Sequence, residues 1–396
     1  MQGPTYPSGT SGTSCVAYNG YIYCLGGYGS CTAEGCYATS SAYFASILPN
    51  GSLGDWAATT SYPMPVGEPT CAAYSGYIYC IGGNIVANQT LTAFAPISST
   101  GIGRWNLTTR YPAPVFYTNC ALYEASIYCM GGVGGGLYGG PYLGTYFAPL
   151  SRSGIGQWVA GSRYATNAAF PGDLRLSSCI TLNKTIYCFG GLGEEPSSYY
   201  LYSPISASGQ PGHWIGGSFD IPVFIYGESC ALVQNYIYCV GAGTVIYAPE
   251  SSLASNGAWS YGPSLDGGSC TSYSGFLYCL GMPPSDNATE LANHYPMYFM
   301  HAGSPATPSL SGAPPGGFST PFFVSFILPL AIVVVVAIAI VALLRLRGGK
   351  PKEGTVGPAS TPAALTPPRA GMTCGSCGRI NRVGALYCSK CGTKLA

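Results

Sequence analysis

Valine, isoleucine, tyrosine and threonine dominate six short stretches of this chain, and one long unbroken apolar run follows them. The stretches are CVAYNGYIYCLGG from Cys15, CAAYSGYIYCIGG from Cys71, CALYEASIYCMGG from Cys120, CITLNKTIYCFGG from Cys179, CALVQNYIYCVGAG from Cys230 and CTSYSGFLYCLG from Cys270. Pairs such as Asn19-Gly20, Ser75-Gly76 and Ser274-Gly275 at their centres suit two-residue turns between antiparallel strands. Each stretch is therefore expected to be a β-hairpin. With Asn19-Gly20 as the turn, Tyr18 faces Tyr21, Ala17 faces Ile22, Val16 faces Tyr23 and Cys15 faces Cys24. That last pair is non-hydrogen-bonded, with Cα atoms about 4.5 Å apart, close enough for a disulfide. The same count pairs Cys71 with Cys80, Cys120 with Cys129, Cys179 with Cys188, Cys230 with Cys239 and Cys270 with Cys279. Cys31 and Cys36, in the loop after the first hairpin, are expected to form a local staple.

The long run is Phe322–Leu344, 23 residues without a charge. A helix needs about 20 apolar residues to cross a bilayer core, and this one has no polar stripe to face water. It predicts a transmembrane helix. Arg345, Arg347, Lys350 and Lys352 follow it closely, while 303–321 carries no charge. An excess of basic residues marks the cytoplasmic side, so the expected location is the plasma membrane, single-pass, N-terminus outside. Before the run stand 6 basic and 13 acidic residues; after it stand 9 and 1. The formal net charge of +1 conceals that asymmetry.

First cysteines of successive hairpins are 56, 49, 59, 51 and 40 residues apart. Periods of this size indicate solenoids or propellers. Third strands are expected at Ala42–Ala45, Ala93–Ile97, Tyr146–Leu150, Leu201–Ile205, Val245–Pro249 and Tyr298–Met300. Fourth strands follow the first five at Gly-x-Trp: Trp56, Trp105, Trp158, Trp214 and Trp259. Hairpin, double glycine, aromatic strand and tryptophan strand in that order resemble the Kelch repeat, over about residues 1–302. The resemblance implies an all-β fold, a six-bladed Kelch-like β-propeller with four strands to a blade around a channel. Two features depart from it. The family does not normally carry the cross-strand disulfide, and the last two hairpins weaken the double glycine to Gly241-Ala242-Gly243 and Gly281-Met282. Six hairpins with five tryptophans leave the sixth blade without its outer strand. Trp56, Trp105 and Trp158 each precede a tyrosine by six residues (Tyr62, Tyr111, Tyr164). Tyr6 lacks such a partner, and its tryptophan would sit just before Met1. A Trp-bearing strand and a signal peptide upstream are the expectation.

Residues 303–321 read as a Gly/Ser/Pro stalk and 345–371 as a flexible cytoplasmic linker. Within 372–396, Cys374/Cys377 and Cys388/Cys391 form two Cys-x-x-Cys units ten residues apart. Four thiolates at that spacing suit one structural Zn²⁺, and the segment resembles the short zinc ribbons appended to many prokaryotic proteins. So few residues build no adequate core, so metal supplies the folding free energy. Arg379, Arg382, Lys390 and Lys394 make the ribbon basic, which suits a cytoplasmic protein partner first and nucleic acid second. Fourteen of 18 cysteines precede the apolar run and four follow it. Disulfides need an oxidising compartment and zinc thiolates a reducing one, and the membrane separates the two.

Binding is favoured over catalysis. Histidines number three (His213, His294, His301). Copper radical oxidases use Kelch propellers but need histidine and a tyrosine-crosslinked cysteine, and here the hairpins claim the cysteines. The run Gly131–Gly140 lacks the lysine and hydroxyl of a phosphate loop. Loops on rigid scaffolds carry recognition, and exposed aromatics suit glycans or proteins. The expected ligand residues are Glu194 and Glu195, after the blade-four glycines, with the loop tyrosines Tyr138, Tyr142, Tyr199 and Tyr200. A surface enzyme acting on glycans and a structural envelope component are the alternatives. Sequons at Asn50, Asn88, Asn106, Asn183 and Asn287 are candidate glycosylation sites. Only 7% of residues are charged, which suits folding in acidic surroundings.

Overall fold

The computed structural model describes residues 1–7, 12–32, 35–83, 90–134, 142–163, 177–191, 200–217, 221–222, 229–241, 244–255, 259–282, 296–301, 372–373 and 380–381. Two compact units divide the chain, 1–311 and 312–396.

The first unit is an all-β, six-bladed propeller. Each blade is an antiparallel sheet of four or five strands. Blade one runs Ser14–Tyr18, Tyr21–Leu25, Ala42–Ser46, Ala57–Ala58 from the channel outward. The hairpin turns take the left-handed conformation that a two-residue turn between twisted strands requires, with φ of 47° and 80° at Asn19 and Gly20 and 49° and 82° at Ser75 and Gly76. The turns fix the register, which sets Cys15 opposite Cys24 and likewise in all six hairpins. All six pairs are disulfide-bonded, with Cα atoms 4.0–4.1 Å apart. Cys31 also stands opposite Cys36 in a short ladder.

The double glycines end the second strand. Gly26 and Gly27 sit at φ 70° and 93°, and a Cβ on Gly26 would lie 2.7 Å from the Val66 carbonyl oxygen. Where the pair is lost, the strand continues: Tyr236–Gly241 in blade five and Phe276–Met282 in blade six.

The core lies between blades. Tyr23 and Leu25 of blade one pack with Ile78 and Ala93 of blade two. Hairpin tyrosines reach across the same gap. Tyr23 donates its hydroxyl hydrogen to Ser98 O (2.8 Å), Tyr79 to Ser151 O (2.8 Å) and Tyr128 to Gly209 O (2.8 Å). Tyr278 of blade six donates to Gly51 O of blade one (2.9 Å), closing the ring.

Blade six corrects the sequence reading, which left it without an outer strand. Gln2–Thr5 pairs with Pro296–His301 and completes the sheet. Met1 N donates to Phe299 O, and Phe299 N donates to Met1 O, both at 2.9 Å. The segment QGPT has neither alternation nor β-branched enrichment, so tertiary pairing alone makes it a strand.

In the second unit, Met372–Thr373 pairs with Ile380–Asn381. Cys374, Cys377, Cys388 and Cys391 lie outside the described residues, as do 303–321, the run 322–344 and the linker 345–371. Among the described residues no helix is long and apolar enough to cross a membrane.

Candidate functional site at the channel mouth

In blades one to three the chain enters the inner strand from the position three before the first cysteine. That position is left-handed in each of the first three blades: Gly12 (φ 68°), Glu68 (φ 53°) and Tyr117 (φ 56°). Glycine is the unstrained residue there, and a larger side chain costs roughly 1 kcal/mol or more. Blades two and three nonetheless place a carboxyl and a phenol at this position. Glu68 N donates to Gly12 O (2.8 Å), which ties the linker to blade one.

These two side chains meet. The Tyr117 hydroxyl donates to the Glu68 carboxylate. Tyr28 closes the third side; a Cβ on Gly67 would lie 2.3 Å from its ring, so only glycine lets it seat. The other carboxyl oxygen, Glu68 Oε2, is buried without a hydrogen-bond partner. Burial pushes the Glu68 carboxyl up to about 7, against a smaller opposing effect of the Tyr117 hydrogen bond. Burial, and then the Glu68 charge, raise the Tyr117 phenol above its ordinary range.

Glu68 and Tyr117 open on a cavity of about 400 Å³ at the end of the channel where the inner strands begin. Its wall repeats from blade to blade. The residue before each first cysteine is Ser14, Thr70, Asn119, Ser178, Ser229 or Ser269, and all six line the cavity with the six cysteines behind them. These side chains link neighbouring blades. Cys15 N donates to Ser269 Oγ (2.9 Å), Cys71 N to Ser14 Oγ (3.1 Å) and Cys230 N to Ser178 Oγ (2.7 Å). Asn119 Nδ2 donates to Ser177 Oγ (3.1 Å), and Thr70 Oγ1 donates to Thr118 O. Hydroxyls thus bridge inner strands whose backbones do not pair, and the disulfides anchor each inner strand to its neighbour.

No lysine, arginine or histidine lines this cavity among the described residues. An anionic ligand would meet no opposite charge from the described lining. A hydroxyl both donates and accepts, as does a protonated carboxyl, so the wall matches a neutral, hydroxyl-rich molecule. Glycosidases pair two carboxyls about 5–9.5 Å apart; the described lining supplies Glu68 alone.

The sequence-predicted ligand residues fare differently. Glu194, Glu195, Tyr138 and Tyr199 lie outside the described residues. Tyr200 is not a loop aromatic: it begins the third strand of blade four, is 2% exposed, and donates to Leu253 O of blade five at 3.2 Å. Tyr142 is half-buried and stacks on Tyr146 at 6.3 Å. His213 is exposed, and His301 packs edge-on against Phe276. Asn50, Asn106 and Asn183 are exposed, while Asn88 and Asn287 lie outside the described residues. Among the described residues no group of three or more metal-ligating side chains converges. Sequence reasoning missed Glu68. The position three before each first cysteine reads Gly12, Glu68, Tyr117, Leu176, Gly227 and Gly267, and the acid among glycines was the available signal. No protein-family model matches the chain, and a search of curated proteins returns no match.

Proposed function

We propose that this chain is a single-pass surface protein whose propeller captures a neutral glycan at the channel mouth. The observation that carries the reading is Glu68 Oε2, buried without a partner in a hydroxyl-lined cavity. A sugar hydroxyl that reached this oxygen from the cavity would relieve the cost of a buried unsatisfied polar group, about 1–3 kcal/mol. The repeat order and glycine pairs support a Kelch-type assignment of the blades. The six disulfides suit an oxidising, extracellular setting. The apolar run at 322–344 and the basic residues after it support the membrane orientation.

The test is a glycan array probed with the full chain in lipid nanodiscs. Neutral oligosaccharides should be retained, with no preference for sialylated or sulfated ones. Glu68→Ala should weaken retention about tenfold, the equivalent of one lost charge-assisted or buried hydrogen bond. Retention that ignores Glu68→Ala would contradict the site, and product release from a retained glycan would favour an enzyme.

Inside the cell, Cys374, Cys377, Cys388 and Cys391 would hold one structural Zn²⁺ and present a basic surface to a protein partner. The pairing of Met372–Thr373 with Ile380–Asn381 supports this, because it draws together the two ends of the Cys374–Cys377 segment. Native mass spectrometry should find one zinc per chain. Chelation should remove it and leave the propeller's melting temperature unchanged; a chain that binds no zinc would overturn the assignment.

A further inference from the structure

The six inner strands, Ser14–Tyr18, Thr70–Tyr74, Asn119–Tyr123, Ser178–Leu182, Cys230–Val233 and Asp266–Tyr273, stand beside one another in a closed ring. Blade six meets blade one through Ser269 and Cys15, just as blade one meets blade two through Ser14 and Cys71. The cavity at the channel mouth takes its lining from all six blades. It is therefore walled on every side, with no lateral exit among the described residues. A groove would draw its lining from a few neighbouring blades and open at both ends.

The strands also set its depth. The lining runs from Gly12, three residues before Cys15, down to the first cysteines, and no described residue further along an inner strand takes part. Successive strand residues rise about 3.3 Å, which makes the pit roughly 10 Å deep. Its volume of about 400 Å³ lies at the small end of the roughly 300–1,000 Å³ of ligand cavities, room for about one or two sugar residues. Tyr117 is the one aromatic side chain in the described lining, which offers stacking to a single sugar ring. Glu68 Oε2 is buried in the wall, where a chain lying across the mouth would not reach it.

We infer that the pit takes glycans by their ends: the terminal one or two residues of a neutral chain or branch insert between the inner strands, and internal stretches of a polymer are excluded. The inference rests on the proposed glycan capture and adds which part of the glycan is read. An inserted end meets polar groups round the whole circumference. These include Ser229 of blade five, which stands across the ring from Glu68 of blade two.

The test uses the full chain in lipid nanodiscs and the neutral glycan retained on the array, prepared as a series of increasing length and titrated calorimetrically. Affinity per mole of glycan should level off at about two residues, and a long polymer should bind one propeller per accessible end. A cyclic form of the same sugar, which has no end, should not bind. Ser229→Leu fills the pit opposite Glu68 and should lower affinity about tenfold, with the melting temperature unchanged. Affinity that keeps rising in proportion to chain length, or a cyclic form that binds as tightly as the linear one, would overturn end capture; sensitivity to Glu68→Ala would then leave capture itself standing. Retention of no neutral glycan, or retention indifferent to Glu68→Ala, would instead remove the capture reading and this inference with it.

Discussion

Reduction of the six hairpin disulfides unfolds the propeller at temperatures where the oxidised protein is stable. A cross-link closing a loop of about ten residues removes roughly 2–3 kcal/mol of unfolded-state entropy in the chain-entropy model. Whole domains are stable by only about 5–15 kcal/mol, so losing all six exceeds what most folds hold. Location adds to this. The second cysteine of each pair is fully buried, and the first lines the channel wall, so each bridge reinforces the pairing of an inner strand that meets the inner strands of adjacent blades through side-chain hydroxyls. A single pair removed, Cys71→Ser with Cys80→Ser, should cost about 2–3 kcal/mol by denaturant unfolding. Reduction that leaves the unfolding midpoint in place would show that the blades stand without their rungs.

Acidification should stabilise the propeller, the reverse of ordinary acid denaturation. Folded Glu68 keeps its proton up to about pH 7, whereas the unfolded chain releases it near 4.5. Between those values the folded state holds more protons than the unfolded one, so raising the pH favours unfolding. The contribution is fully present below about 4.5 and lost as pH climbs through about 7, with an upper size of about 3 kcal/mol. Glu68→Gln should flatten stability across this window and make the variant the more stable protein above pH 7. The whole chain holds 14 acidic residues in 396, so the Glu68 proton is a large part of its carboxylate titration. Wild-type stability that falls between pH 7 and 4.5, or a variant with the same slope as wild type, would contradict this placement of Glu68. Glycan capture should follow the same proton, strengthening where the carboxyl is neutral and donates.

The hairpins were legible because everything that specifies them is local. Asn19-Gly20 sets the turn, the turn sets the register, and the register sets Cys15 against Cys24. Gln2–Thr5 was not legible, because a Gly-Pro segment becomes a strand only when Pro296–His301 lies beside it. Tyr200 was misplaced by a single residue at a strand boundary, and that residue decides between a loop and the interior. Glu68 was hidden for another reason. Its partners Tyr117 and Tyr28 lie 49 and 40 positions away in the chain, and only the packing of blades one to three brings the three together. The left-handed backbone that the three blades share at this position is a property of the entry turn, which composition does not display.

Under the proposed function one protein holds sulfur in two redox states, oxidised in the propeller and reduced in the C-terminal segment. Alkylating the unreduced full chain and mapping its peptides by mass spectrometry tests that directly. The expected map links Cys15–Cys24, Cys71–Cys80, Cys120–Cys129, Cys179–Cys188, Cys230–Cys239 and Cys270–Cys279, and finds Cys374, Cys377, Cys388 and Cys391 alkylated once zinc is chelated. Free thiols in the hairpins, or disulfides among the last four cysteines, would contradict it.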